Sequence, residues 1–177
     1  VTGSLKGAKS AAKANKNTVE IEGGNVSGAK IMGAEAKGAA EENVVTIKAA
    51  ASSNASTEIT GAHSTHGNAA KNIVNVNAAV SGSLVGGSAG MGDATDNVLN
   101  LKSKGAQVGS LENFGKITWS LGSNLTDGDT VLTLNQDTTL TYSTIEKPAG
   151  ADVSNWLGSV MEKNVHLFRM AAGKTLT

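Results

Sequence analysis

Short runs in which apolar and polar residues alternate recur along the first 120 residues of the chain. "NTVEIE" from Asn17, "NVVTIK" from Asn43, "NIVNVN" from Asn72 and "NVLNLK" from Asn97 follow one template. It reads Asn, an apolar residue or Thr, then apolar, polar, apolar, polar. Val19 and Ile21, Val45 and Ile47, Val74 and Val76, and Leu99 and Leu101 fall on one side of their runs. A period of two marks a half-buried strand, because successive side chains of an extended chain point to opposite faces. "VTGSL", "VSGAKI" and "VSGSLV" supply a second short extended segment with glycine at a bend. No repeat holds an apolar helical face of about twelve residues, which argues against helical solenoids.

The runs are regularly spaced. The Asn anchors lie 26, 29 and 25 residues apart. A second landmark moves with them, at "LKGA" (Leu5), "IMGA" (Ile31), "ITGA" (Ile59) and "LVGG" (Leu84), with steps of 26, 28 and 25. From the first glycine of this landmark to the next Asn the distance is 10, 10, 11 and 11 residues, so length variation falls in the other half of the repeat. Such a unit cannot bury its apolar face alone; stacked on copies of itself at about 4.8 Å, it can. The spacing therefore predicts an all-β fold, a right-handed parallel β-helix with coils of 25–29 residues. "ENFGKITWSL" carries the cadence into a fifth coil, with Ile117 and Trp119 alternating.

Stacking the copies assigns positions. Asn17, Asn43, Asn72 and Asn97 form a structural ladder where the chain turns into each strand, a place suited to left-handed backbone geometry, local backbone bonding and amide stacking. Glu20, Thr46, Asn75 and Asn100 form one outward column, and Glu22, Lys48, Asn77 and Lys102 a second; these are the candidate outer-face contacts. Opposite charges at Glu22 and Lys48 suit direct stacking.

After residue 120 the pattern loosens. "LTDGDTVLTLNQDTTLTYSTI" predicts a hairpin turn at Asp127-Gly128, a strand through Val131, Leu132 and Leu134, and another from Leu140 to Ile145. Val153, Trp156, Leu157, Val160 and Met161 then fall on one face of a short helix over 152–163 that Asp152 could cap. "VHLFRM" reads as a strand and "KTLT" as the start of the next. Residues 121–177 are thus expected to be less regular coils with one helical insertion, continuous with 1–120 in a single β-helix fragment. The insertion is a candidate functional feature, because there a repeat scaffold departs from its own rules.

Composition narrows the picture. With 3% aromatic residues, one proline and 22 glycines in 177 residues, the interior is expected to be thin and built from Val, Ile, Leu and Ala. The regular recurrence of β-branched residues argues against disorder. Zero net charge offers no field for nucleic acid, and the absence of cysteine removes disulfides and thiol chemistry. No apolar run approaches the roughly 18 residues of a membrane helix. The chain starts in mid-pattern, as an excised piece of a longer protein would.

Candidate chemistry is sparse. His63 and His66 in "GAHSTHG" lack further ligands nearby and read as an exposed loop. Asp127 and Asp129 suggest calcium by composition, yet neither a nine-residue Gly/Asp repeat nor an EF-hand loop is present. "GGSAGMG" lacks the Lys-Ser/Thr and the helix of a phosphate loop, and reads as a coil corner. No cofactor or metal is expected. A β-helical polysaccharide lyase or hydrolase is the rival class. It needs carboxylates gathered on one outer face, whereas Asp93, Asp96, Asp127, Asp129 and Asp137 fall in different repeat frames.

The cadence "NTVEIEGGNVSGAKIMGAEAKG…ENVVTIK", followed by "ITWSLGSNLTDGDTVLTL", resembles passenger regions of Gram-negative bacterial autotransporters over residues 1 to about 145. The resemblance implies a right-handed parallel β-helix exported through a C-terminal outer-membrane barrel and displayed on the cell surface or secreted. It also implies adhesion or self-association, with a second copy or a host surface protein or glycan as partner. Protease members of the family carry a separate serine domain, and no GxSxG motif occurs here. The expected function is that of a non-enzymatic stalk or adhesin.

Overall fold

The computed structural model describes residues 3–48, 51–119, 126–140, 143–146 and 165–177. The first coil holds β1 (Ser4–Lys6), β2 (Lys9–Ser10), β3 (Thr18–Ile21) and β4 (Gly24–Asn25). The second repeats it as β5 (Lys30–Met32), β6 (Glu35–Ala36), β7 (Val44–Ile47) and β8 (Ala51–Ser52). The third has β9 (Glu58–Thr60), β10 (His63–Ser64) and β11 (Ile73–Val76). The fourth has β12 (Ser83–Val85), β13 (Ser88–Ala89), β14 (Val98–Leu101) and β15 (Ala106–Val108). The fifth has β16 (Leu111–Glu112), β17 (Lys116–Trp119) and β18 (Thr130–Leu134), and β19 (Thr144–Glu146) and β20 (His166–Met170) continue the stack.

Corresponding strands pair in parallel, coil on coil. One sheet runs β1-β5-β9-β12-β16, a second β2-β6-β10-β13, and a third β3-β7-β11-β14-β17-β19; β15-β18-β20 and β4-β8 complete the sides. The fold is a parallel β-helix of about five turns. The expected helix at 152–163, with Val153, Trp156, Leu157, Val160 and Met161, lies outside the described residues.

Registers follow the apolar positions. Leu5, Ile31, Ile59, Leu84 and Leu111 stack in the first sheet. Val19, Val45, Val74, Leu99 and Ile117 stack in the third, beside Ile21, Ile47, Val76, Leu101 and Trp119. A register slip of one residue would turn a whole column outward, so the columns fix the stack. Beside this core is a narrower lobe lined by Ala14, Ala34, Ala36, Ala40 and Ala62. There the second sheet lies too close to the returning chain for larger side chains. The columns end at Leu5 and Ile145, 37% and 43% exposed.

Two expectations for the C-terminal region need correction. Asp127-Gly128 does form a turn, with Gly128 at φ 79°, but among the described residues no antiparallel pairing accompanies it. β18 instead pairs in parallel with β15 and β20, because coil-on-coil stacking, invisible to local pattern, decides its partners. The last strand before the 147–164 segment is also shorter than expected, Thr144–Glu146.

The fifth coil breaks the repeat. The second side spans residues 7–17, 33–43, 61–72 and 86–97 in coils one to four, but only 113–115 in coil five. The third-sheet step from Val98 to Lys116 therefore shrinks to 18 residues. The chain crosses directly from β16 to β17, and Phe114, 3% exposed, packs against the end of the core.

Candidate functional site

Two ladders organise the corner leading into the third sheet. The main-chain N–H and Nδ2 of Asn17 both donate to Oδ1 of Asn43, at 3.0 and 2.8 Å. Asn43 does the same to Asn72 at 3.0 and 3.0 Å, and Asn72 to Asn97 at 2.9 and 3.1 Å. The second amide proton is used as well. Nδ2 of Asn43, Asn72 and Asn97 also donates to the carbonyls of Ala14, Ala40 and Ala69 in the preceding coil. Asn43, Asn72 and Asn97 are fully buried, and this bonding offsets the cost of burying an amide.

The left-handed residue at this corner is not the Asn but the one before it. Lys16, Glu42, Lys71 and Asp96 have φ of 61°, 58°, 57° and 56°. All four are charged, two Lys and two acids, so a charged residue precedes each Asn although no single residue type marks the left-handed geometry. Asn113, φ 55°, holds the same conformation in coil five, where its carbonyl accepts from Asn97 Nδ2 at 3.3 Å and closes the ladder.

The "GA" landmark is the second ladder. A Cβ added at Gly33 would fall on the carbonyl oxygen of Gly61, one at Gly61 on that of Gly86, and one at Gly86 on that of Asn113. Glycine is required here for close approach between coils.

On the outer face, Glu20, Thr46, Asn75 and Asn100 occupy one column, which the structure extends to Thr118 and Glu146. Asn75 Nδ2 donates to Thr46 Oγ1 at 3.0 Å, and Asn100 Nδ2 to Asn75 Oδ1 at 2.9 Å. These bonds hold the side chains in line along the rod, with Asn75 buried between the half-buried Thr46 and Asn100. In the second column the main-chain N–H of Lys48, Asn77 and Lys102 donates to Ile21, Ile47 and Val76 of the preceding coil, which aligns them with Glu22. Asn77 Oδ1 is buried without a partner among the described residues.

Ion pairs tie neighbouring coils. Lys48 Nζ lies 2.7 Å from Glu20 and 3.3 Å from Glu22, so it spans both columns rather than pairing with Glu22 alone. Bonding to Glu20, then to Glu22, raises its pKa. Glu35 pairs with Lys6 and, at 3.2 Å, with Lys9. The Lys6 bond holds its carboxyl below the ordinary range, assisted by Lys9 and opposed by desolvation. The exposed pairs of Lys48 contribute little each, about 0–1 kcal/mol, and the Lys6–Glu35 pair is half-buried.

The carboxylates weighed as catalytic are dispersed. Asp129 pairs with Lys104 at 2.8 Å and accepts the Thr126 N–H, and its pKa falls to about 2, with Lys104 the larger cause. Asp137 is lowered by the Thr175 N–H. Asp93 and Asp96 are exposed on the second side, and Asp127 is exposed in the turn that Asp129 closes. Among the described residues, no three His, Cys, Asp or Glu gather as metal ligands. His63 lies in a strand between Glu35 and Ser88, not in a loop; His66 is exposed. "GGSAGMG" likewise contains a strand, β13. No family model, curated protein or solved structure matches the chain.

Proposed function

We propose that the chain is a non-enzymatic stalk or adhesin segment, a stretch of autotransporter passenger displayed on a Gram-negative cell surface or secreted through an outer-membrane barrel. Its rod joins weakly, at many points, to a second copy of itself or to a host surface protein or glycan. The observation that carries this reading is the outer column Thr46–Asn75–Asn100, cross-bonded into one line of hydrogen-bonding groups. A column of this kind repeats at the coil spacing of about 4.8 Å, and weak contacts along a rigid rod add by multivalency.

The test is to display the protein on bacterial cells and measure clumping and adhesion to host cells. Replacing Thr46, Asn75 and Asn100 by Lys sets like charges one coil apart and should abolish whichever activity the parent shows. Glycan depolymerisation by the purified chain would sink the proposal, as would adhesion indifferent to the lysine column.

A further inference from the structure

The shortcut in coil five leaves a ledge on one side of the rod. Among the described residues, β13 is the last strand of the second sheet and has a strand partner only on the β10 side. Coil five has three residues there, 113–115, too few to form a strand above it. The exposures agree: the inward-facing Ala36 and Ser64 of the inner strands are 2% and 0% exposed, while Ala89 of β13 is half-buried.

The backbone at this edge has a defined polarity. Ser88 and Gly90 donate their N–H groups to Ala62 and Ser64 of the coil below, each at 2.9 Å. Alternation along the strand then turns the Ala89 N–H and C=O toward the ledge. One end of the edge is closed by the chain itself, since Asn113 Nδ2 donates to the Gly87 carbonyl at 3.0 Å. Beyond it no strand among the described residues pairs with the edge, and Met91 is 76% exposed. A cavity of about 200 Å³ lies on the far side of Asn113, lined by Glu112, Asn113, Phe114, Thr139, Leu140 and Ser143.

Sequence and charge limit what can fill this place. The interior column at this position is Ser10, Ala36, Ser64 and Ala89, so an added strand must present a small residue inward. Segments 86–97 and 109–115 contain Asp93, Asp96 and Glu112, all exposed, and no basic residue. In the first two coils the corner position of Asp96 is held by Lys16 and Glu42, which pair across coils at 3.6 Å. In coil five this corner is already held by 113–115, so Lys or Arg of an added strand would reach the Asp96 carboxylate from the part of the edge beside Asp93.

We propose that the ledge binds an extended basic peptide of small residues as a fifth parallel strand on β13. The edge hydrogen bonds supply adhesion, and the three carboxylates select for positive charge.

The probe is a fluorescently labelled peptide with the sequence of residues 7–17, GAKSAAKANKN, which fills this position in the first coil. Titrated with the whole chain, it should give saturable anisotropy at one peptide per chain, and protect the Ala89 amide from hydrogen exchange while leaving Ser88 unchanged. Replacing the three peptide lysines by Glu should weaken binding at least about tenfold. Ala89→Pro removes the outward N–H but no bond to β10, and should weaken binding by a similar factor. If that variant misfolds, the Ala89 exchange measurement on the unaltered protein decides alone. No saturable binding at millimolar peptide, or no protection at Ala89, overturns the proposal. So does dimerisation of the free chain that protects Ala89, which would make a second copy the occupant.

Discussion

Coils one to four, and coil five with the strands β19 and β20 stacked beyond it, solve the same problem on different cross-sections. Both stack Val, Ile and Leu on the first and third sheets, from Leu5 to Leu111 and from Val19 to Ile145. Among the described residues, only the first four keep a second side, and with it the Asn ladder, the glycine ladder and the alanine lobe. These features serve that side, not the β-helix as such. Where the second side is missing, one bulky residue, Phe114, replaces them.

Phe114 gives the largest expected effect. Phe114→Ala removes the plug between the four-coil lobe and the narrower stack, and should cost about 3–5 kcal/mol in denaturant unfolding. If the two regions are instead independent, the loss should stay below about 1 kcal/mol, as for a surface change.

The ladder comes next. Asn72→Ala leaves the Asn43 N–H and Nδ2 and the Ala40 carbonyl without their partner in a buried corner, and should cost about 2–3 kcal/mol. Asn17→Ala, at the half-buried ladder end, should cost about 1 kcal/mol. Equal losses at the two positions would mean the Asn residues act singly, not as a ladder.

Much of this was legible in the sequence where the signal repeats. Alternation placed the inward columns, and the spacing of the Asn residues placed Asn75 between Thr46 and Asn100 in the outer one. What failed to show was geometry with no residue type attached. The left-handed corner falls on Lys16, Glu42, Lys71 and Asp96 because the following Asn must aim its N–H at the next coil. The "NFGKITW" run looks like another Asn landmark, yet Asn113 is itself the left-handed residue and Phe114 follows it into the core. The shortcut is a shorter segment between β16 and β17, and no motif marks the strand that is not there. The turn at 127–128 was misread as a hairpin because parallel pairing is non-local.

The corner assignment can be sharpened by glycine. Lys71→Gly relieves left-handed strain of about 1–2 kcal/mol against roughly 0.5–1 kcal/mol of added unfolded-state entropy, so stability should rise by about 0.5 kcal/mol. Asn72→Gly should destabilise as Asn72→Ala does. A stabilising Asn72→Gly would move the left-handed position back to the Asn.

The smallest effect distinguishes the two regions by pH. In the C-terminal stack Asp129 is held to about 2 against an ordinary 3.8, chiefly by Lys104. A depressed carboxyl stabilises the folded state above its unfolded pKa, and this stabilisation fades as pH falls from about 4 to about 2. In the N-terminal coils Glu35 is lowered by Lys6 and Lys9, so it adds acid sensitivity with the same sign, starting below its ordinary 4.5. Asp129→Asn should therefore flatten the acid limb of β18–β20 without changing that of β2–β6. Amide exchange at Leu132 and at Ala36, followed from pH 5 to 2.5, separates the two limbs. A matching change at Ala36 would show that acid unfolds the rod as one unit, and that the missing second side does not divide it.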